Sequence, residues 1–171
     1  MSGLARLNAL PAPAAEAELL TCCGSREWAR RMAERRPFRT DPILLDAADE
    51  VWWELDQADW LEAFRSHPRI GEKKAEAGQT AREQGWSRSE QAGMDAAEDA
   101  TRRALVDGNR AYEERFGHIY LVCATGRSAD ELLSILQARL QNPPEREIRV
   151  AAEEQAMITR LRLKKLLAAA D

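Results

Sequence analysis

Residues 118–124, His118-Ile119-Tyr120-Leu121-Val122-Cys123-Ala124, are the most strand-like stretch of this 171-residue chain, and they stand alone. A strand with nothing to pair with would leave its backbone hydrogen-bonding groups unsatisfied. The stretch therefore reads as an extended or irregular link between helices. On either side of it Ala, Leu, Glu and Arg dominate, and β-branched residues never alternate for long. The chain reads as all-α: a single-domain helical bundle over residues 1–171, with roughly seven to nine helices.

Working outward, Ser87-Arg88-Ser89-Glu90 forms a capping box for a long helix reaching toward Phe116-Gly117. Ser128-Ala129-Asp130-Glu131 is a second such box, opening a helix to about Leu140. Asn142-Pro143-Pro144 then breaks the chain before a last helix from about Glu145 to Ala168. Toward the N-terminus, a helix is predicted from about Ala14 to Cys22, stopping at Gly24. Ser25 caps the next, which carries Trp28 and Met32 on its apolar face and ends before Pro37. Asp41-Pro42 reads as a cap and first-turn proline, placing Leu44, Leu45, Ala48, Val51 and Trp52 on one side. Asp56 opens a short helix with Trp60, Leu61 and Phe64, closed by Ser66-His67-Pro68. From Pro68 to about Gly85 the pattern is mostly loop.

Composition narrows the chemistry. A net charge of −4 offers no general attraction to nucleic acid or to an anionic membrane. No apolar run is long enough to cross a bilayer, and neither end of the sequence shows a secretory or lipidation signal. Three cysteines, two of them the adjacent Cys22 and Cys23, argue against a disulfide framework and for a reducing cytoplasm. His67 and His118 lie far apart, and no Cys-x-x-Cys or His-x-x-x-His spacing provides a metal site. Nine glycines form no phosphate-binding loop. A protein without metal or cofactor is expected.

Two segments could carry chemistry. In Ser66-His67-Pro68-Arg69-Ile70-Gly71-Glu72, proline restrains the backbone after the histidine and Gly71 permits a sharp turn. An imidazole held at a helix exit suits acid–base work, since its ordinary pKa is near ~6.5. The same placement also describes a plain C-terminal histidine favoured by the helix dipole. In Trp86-Ser87-Arg88-Ser89-Glu90-Gln91 the residues serve as a helix cap, or as a binding cradle if Glu90 turns toward a ligand. His118 reads as structural and Cys123 as a small buried hydrophobe. Arg162, between Leu161 and Leu163, could point inward toward a carboxylate.

Taken together, His67-Pro68-Arg69-Ile70-Gly71-Glu72 and Trp86-Ser87-x-x-Glu90-Gln91 resemble the 2-oxo-4-hydroxy-4-carboxy-5-ureidoimidazoline (OHCU) decarboxylases. Asn109-x-x-Tyr112-x-x-x-Phe116-Gly117, Gly126-Arg127, Arg139-Leu140-x-Asn142 and the helix from Glu147 to Arg162-Leu163 extend the match. Trp28 and Arg36-Pro37-Phe38 carry it toward the N-terminus. His118-Ile119-Tyr120 departs from it, where apolar residues ending in phenylalanine are expected.

The resemblance implies a helical, cofactor-free homodimer that decarboxylates OHCU to (S)-allantoin in urate breakdown. It further implies that His67 is the catalytic acid/base, oriented by Glu90. Pro68, Ser87, Glu90, Gln91, backbone groups of Leu121, Val122, Cys123 and Ala124, and Arg162 would bind substrate. A non-enzymatic helical adaptor would account for the amphipathic helices equally well, but not for this order of motifs. A related lyase, retuned at His118 and Tyr120 for another ureido acid, is the second alternative.

Overall fold

The computed structural model describes residues 1–71 and 99–169. Among these residues there are eight helices and no strand: α1 (Gly3–Ala9), α2 (Ala12–Leu20), α3 (Arg26–Glu34), α4 (Asp41–Glu54), α5 (Gln57–Arg65), α6 (Asp99–Phe116), α7 (Ala129–Arg139) and α8 (Pro144–Ala168). The fold is all-α, as the sequence predicts. The capping box at Ser87–Glu90 lies outside the described residues.

Local chemistry explains most helix starts. The Ser25 and Ser128 hydroxyls accept from the backbone N–H groups of Trp28 and Glu131, each at 3.2 Å. Asp56 does the same for Asp59 at 3.1 Å. At α4 the expected cap is displaced by one residue. Thr40 is extended and its hydroxyl caps Ile43, so Asp41 becomes the first helical residue, where its charge meets the positive helix end. The N-terminal segment holds two helices where one is expected, because Ser2 caps α1 and Pro11 separates it from α2.

The chain divides into two compact units, Met1–Ala63 with Ala156–Asp171, and Phe64–Gln155. In the first, Leu7, Leu19, Trp28, Met32, Leu44 and Val51 are fully buried. Two indoles enter this core without orphaning a donor. Trp28 Nε1–H donates to Ala48 O at 3.1 Å and Trp60 Nε1–H to Trp52 O at 3.0 Å. The start of α1 lies so close to the end of α8 that a Cβ on Gly3 would fall 2.2 Å from Leu167 O.

The second unit packs α6 on α7 around Ile70, Leu105, Tyr112, Tyr120, Val122, Leu132 and Leu136. Residues 118–124 pass through this core as extended chain. Arginine side chains, not a neighbouring strand, satisfy part of that backbone. Arg139 Nη1 donates to Leu121 O at 2.6 Å, and Arg127 Nε to Cys123 O at 3.2 Å.

Candidate active site

His67 sits where α5 ends. Its own N–H still reaches Phe64 O at 3.2 Å, after which Pro68 and the positive φ of Gly71 (91°) turn the chain away. Two bonds from α6 pin the turn. Asn109 Nδ2 donates to Ile70 O at 2.8 Å, and Arg69 Nε to Glu113 Oε1 at 2.6 Å. The imidazole is 3% exposed, and its Nε2 lies 2.7 Å from Oε1 of Gln155, which is fully buried on α8. The histidine is thus a sequestered, oriented side chain and not a solvent-facing cap. Pro68 beside it is half-buried.

Leu121, Val122 and Ala124 are buried, with Cys123 half-exposed and not fully buried as the sequence reading expects. Glu154 accepts from the Cys123 backbone N–H, and its other oxygen, Oε2, has no partner among the described residues. Burial raises the Glu154 carboxyl above its usual range, against the pull of the Arg139 and Arg127 charges.

Behind the segment is a buried ion pair. Arg139 Nε donates to Glu147 Oε1 at 2.6 Å, Tyr112 Oη–H donates to the same oxygen at 2.5 Å, and Asn142 Nδ2 to Oε2 at 2.9 Å. Burial works against the Arg139 charge, but Tyr112 and Glu147 outweigh it and hold the guanidinium pKa above its usual value. The arginine also lies 5.0 Å from the Tyr120 ring centroid.

His118 has a structural environment. Its ring is packed 5.4 Å from Phe64 and 5.5 Å from Tyr112, and its Nδ1–H donates to Ile119 O at 3.1 Å. Burial lowers its pKa, favouring the neutral ring. Tyr120 is buried with its hydroxyl donating to Leu132 O at 2.9 Å. The unexpected His118-Ile119-Tyr120 is therefore absorbed by core packing.

Arg162 is buried, 3% exposed, in the first unit. Its charge acts on Cys23, whose thiol is pushed up to about 12 by burial and pulled back by Ser25, Thr159 and Arg162. The structure brings His67, Pro68 and Leu121–Ala124 into the second unit. Ser87, Glu90 and Gln91 lie outside the described residues.

The OHCU decarboxylase family model matches residues 8–164. The chain belongs to that family. It is 37% identical over 155 residues to the uric acid degradation bifunctional protein TTL of Arabidopsis thaliana, covering 88% of this chain and 47% of that protein. It is 33% identical to the 2-oxo-4-hydroxy-4-carboxy-5-ureidoimidazoline decarboxylase of Amia calva, covering 77% of this chain and 75% of the relative. The chain thus spans about half the length of the Arabidopsis relative and a smaller share, 26%, of the Bacillus subtilis bifunctional protein PucL. A crystal structure of OHCU decarboxylase in the presence of (S)-allantoin superposes with a TM-score of 0.77 at 34% identity, covering 89% of this chain and 98% of that one. The structure of (S)-allantoin synthase, at 18% identity and a TM-score of 0.73, shares the fold.

Within this OHCU decarboxylase fold, sequence reasoning passes over Gln155 and Glu154, and takes Arg127 only as part of the matching framework. A signal for Gln155 exists: it stands four and three residues after Ala151 and Ala152, at the spacing that puts it on the buried side of the helix with them. Arg139 and Glu147 appear in the resemblance only as framework, since nothing in their spacing across Asn142-Pro143-Pro144 announces a pair.

Proposed function

We propose that this chain decarboxylates OHCU to (S)-allantoin in urate degradation, as one OHCU decarboxylase domain over residues 1–171. The observation that carries the reading is His67: buried, held at Nε2, and sited in the family's most specific motif. The substrate provides its own electron sink. When the bond to carbon dioxide breaks, its electron pair forms a carbon–carbon double bond and the neighbouring imine nitrogen takes a proton. The hydroxyl then gives up its proton as the ureido-bearing carbon gains one, leaving a ring amide carbonyl and a single new stereocentre. The protein's task is to orient the substrate, exclude water and deliver that proton to one face.

His67 is the acid/base for this transfer, with Glu90 as its charged partner. Pro68, Ser87, Gln91 and Arg162 bind substrate. In the extended segment, Leu121 and Cys123 are supported by Arg139, Arg127 and Glu154. Val122, buried between them, completes the Leu121–Ala124 cradle that meets substrate. A small molecule is the partner; nucleic acid and membrane are not.

The family resemblance further supports a cytoplasmic homodimer that needs no cofactor. No helix among the described residues is long and apolar enough to cross a membrane. Freshly generated OHCU, followed by polarimetry, tests the reading: the protein should accelerate formation of dextrorotatory allantoin, and should do so after exhaustive chelation. Decay at the spontaneous rate to racemic product would exclude it.

A further inference from the structure

His67 and Gln155 are 88 residues apart in sequence, yet their side chains meet at 2.7 Å with almost no exposure of either to water. A hydrogen bond sheltered in this way is stronger than one in water and restricts the ring to one orientation. Gln155 presents Oε1, an acceptor, so the proton belongs on His67 Nε2, which donates to it. The amide carries no charge. It accepts from Nε2–H whether the ring is neutral or cationic, whereas a carboxylate in its place would favour the cation. The supporting helix α8 is regular here, and the neighbouring Ala151 and Ala152 are fully buried, so the amide is held on a rigid element.

We propose that Gln155 is a positioning residue of the reaction, holding the His67 ring with its fixed proton on Nε2 so that protons are exchanged at Nδ1. The kinetic part of this inference rests on the decarboxylase reading; the tautomer does not. Gln155 is the neutral anchor on Nε2, which leaves Nδ1 as the ring nitrogen for the exchange.

The experiment is nitrogen NMR on protein labelled at its two histidines, with His118→Asn assigning the signals. At about pH 8 an ordinary imidazole is neutral. The His67 ring should then show a protonated Nε2 and an unprotonated Nδ1. Gln155→Met keeps the reach and removes the acceptor, so it should yield a mixture of tautomers. In the OHCU assay it should lower kcat about ten- to hundredfold with KM nearly unchanged.

Gln155→Glu keeps an acceptor oxygen and should keep Nε2–H. A parent spectrum with the proton on Nδ1 would overturn the proposal, because the amide would then face the ring with its nitrogen. So would a Gln155→Met protein with the parent's tautomer and kcat. If Gln155→Met fails to fold, the parent and Gln155→Glu spectra decide. If the parent does not turn over OHCU, the decarboxylase reading fails while the spectra still decide the role of Gln155.

Discussion

Replacing Glu147 by glutamine should be among the most damaging single substitutions outside the ligand-binding residues. The side chain is fully buried and receives bonds from Arg139, Tyr112 and Asn142, while Arg139 is itself only 5% exposed. Glu147→Gln preserves size and one acceptor oxygen but leaves the guanidinium as an uncompensated buried charge. Removing one partner of such a pair costs about 3–5 kcal/mol, a large share of the ~5–15 kcal/mol by which domains are stable. For a chain of this length that corresponds to a fall of about 6–20 °C in Tm.

Urea and thermal unfolding of Glu147→Gln, Arg139→Met, Glu147→Leu and the double variant Arg139→Met/Glu147→Leu would measure it. Taking both charges away together leaves no stranded ion, so the double variant should lose much less than the sum of its two single variants. It would also release the Leu121 carbonyl and should therefore show impaired turnover even where stability recovers. A cost below about 1 kcal/mol for Glu147→Gln, or additive losses in the double variant, would refute the argument that these charges depend on each other.

His67→Asn should lose about 10²–10⁴ in OHCU turnover, with weaker preference for one enantiomer, while His118→Asn stays within a few-fold of the parent. Equal rates for His67→Asn and the parent would remove the acid/base assignment. Glu154 has its carboxyl pKa raised in the folded state by burial, so the native chain binds its proton more tightly than the unfolded chain. Stability should then fall as pH rises from the ordinary carboxylate range through the raised pKa. Glu154→Gln should be more stable than the parent near pH ~7, the difference closing below about pH 4; a difference that widens on acidification would reverse the sign. Cys22 and Cys23 are buried, and burial pushes the Cys23 thiol up to about 12, whereas Cys123 is half-exposed. A thiol reagent should label Cys123 first in the native protein and all three after unfolding, and rapid native labelling of Cys23 would contradict its placement.

The sequence by itself determines the helical class and most helix starts, because these depend on neighbours within four residues. Ser25, Ser128 and Asp56 act as caps for that reason, and an isolated run of β-branched and aromatic residues at 118–124 cannot make a sheet. It also marks His67, since Pro68 and Gly71 shape the local backbone whatever surrounds them.

Tertiary structure decides the rest. Thr40 takes the cap from Asp41, the Cys123 side chain is only half-buried, and the extended segment owes part of its order to arginines from elsewhere in the chain. Gln155 reaches His67, and Glu147 reaches Arg139 and Tyr112, across separations at which the chain's local preferences carry no information. Buried polar groups must find partners wherever folding brings them. Which glutamine orients the histidine, and which glutamate neutralises the arginine, is therefore fixed only once the helices have packed.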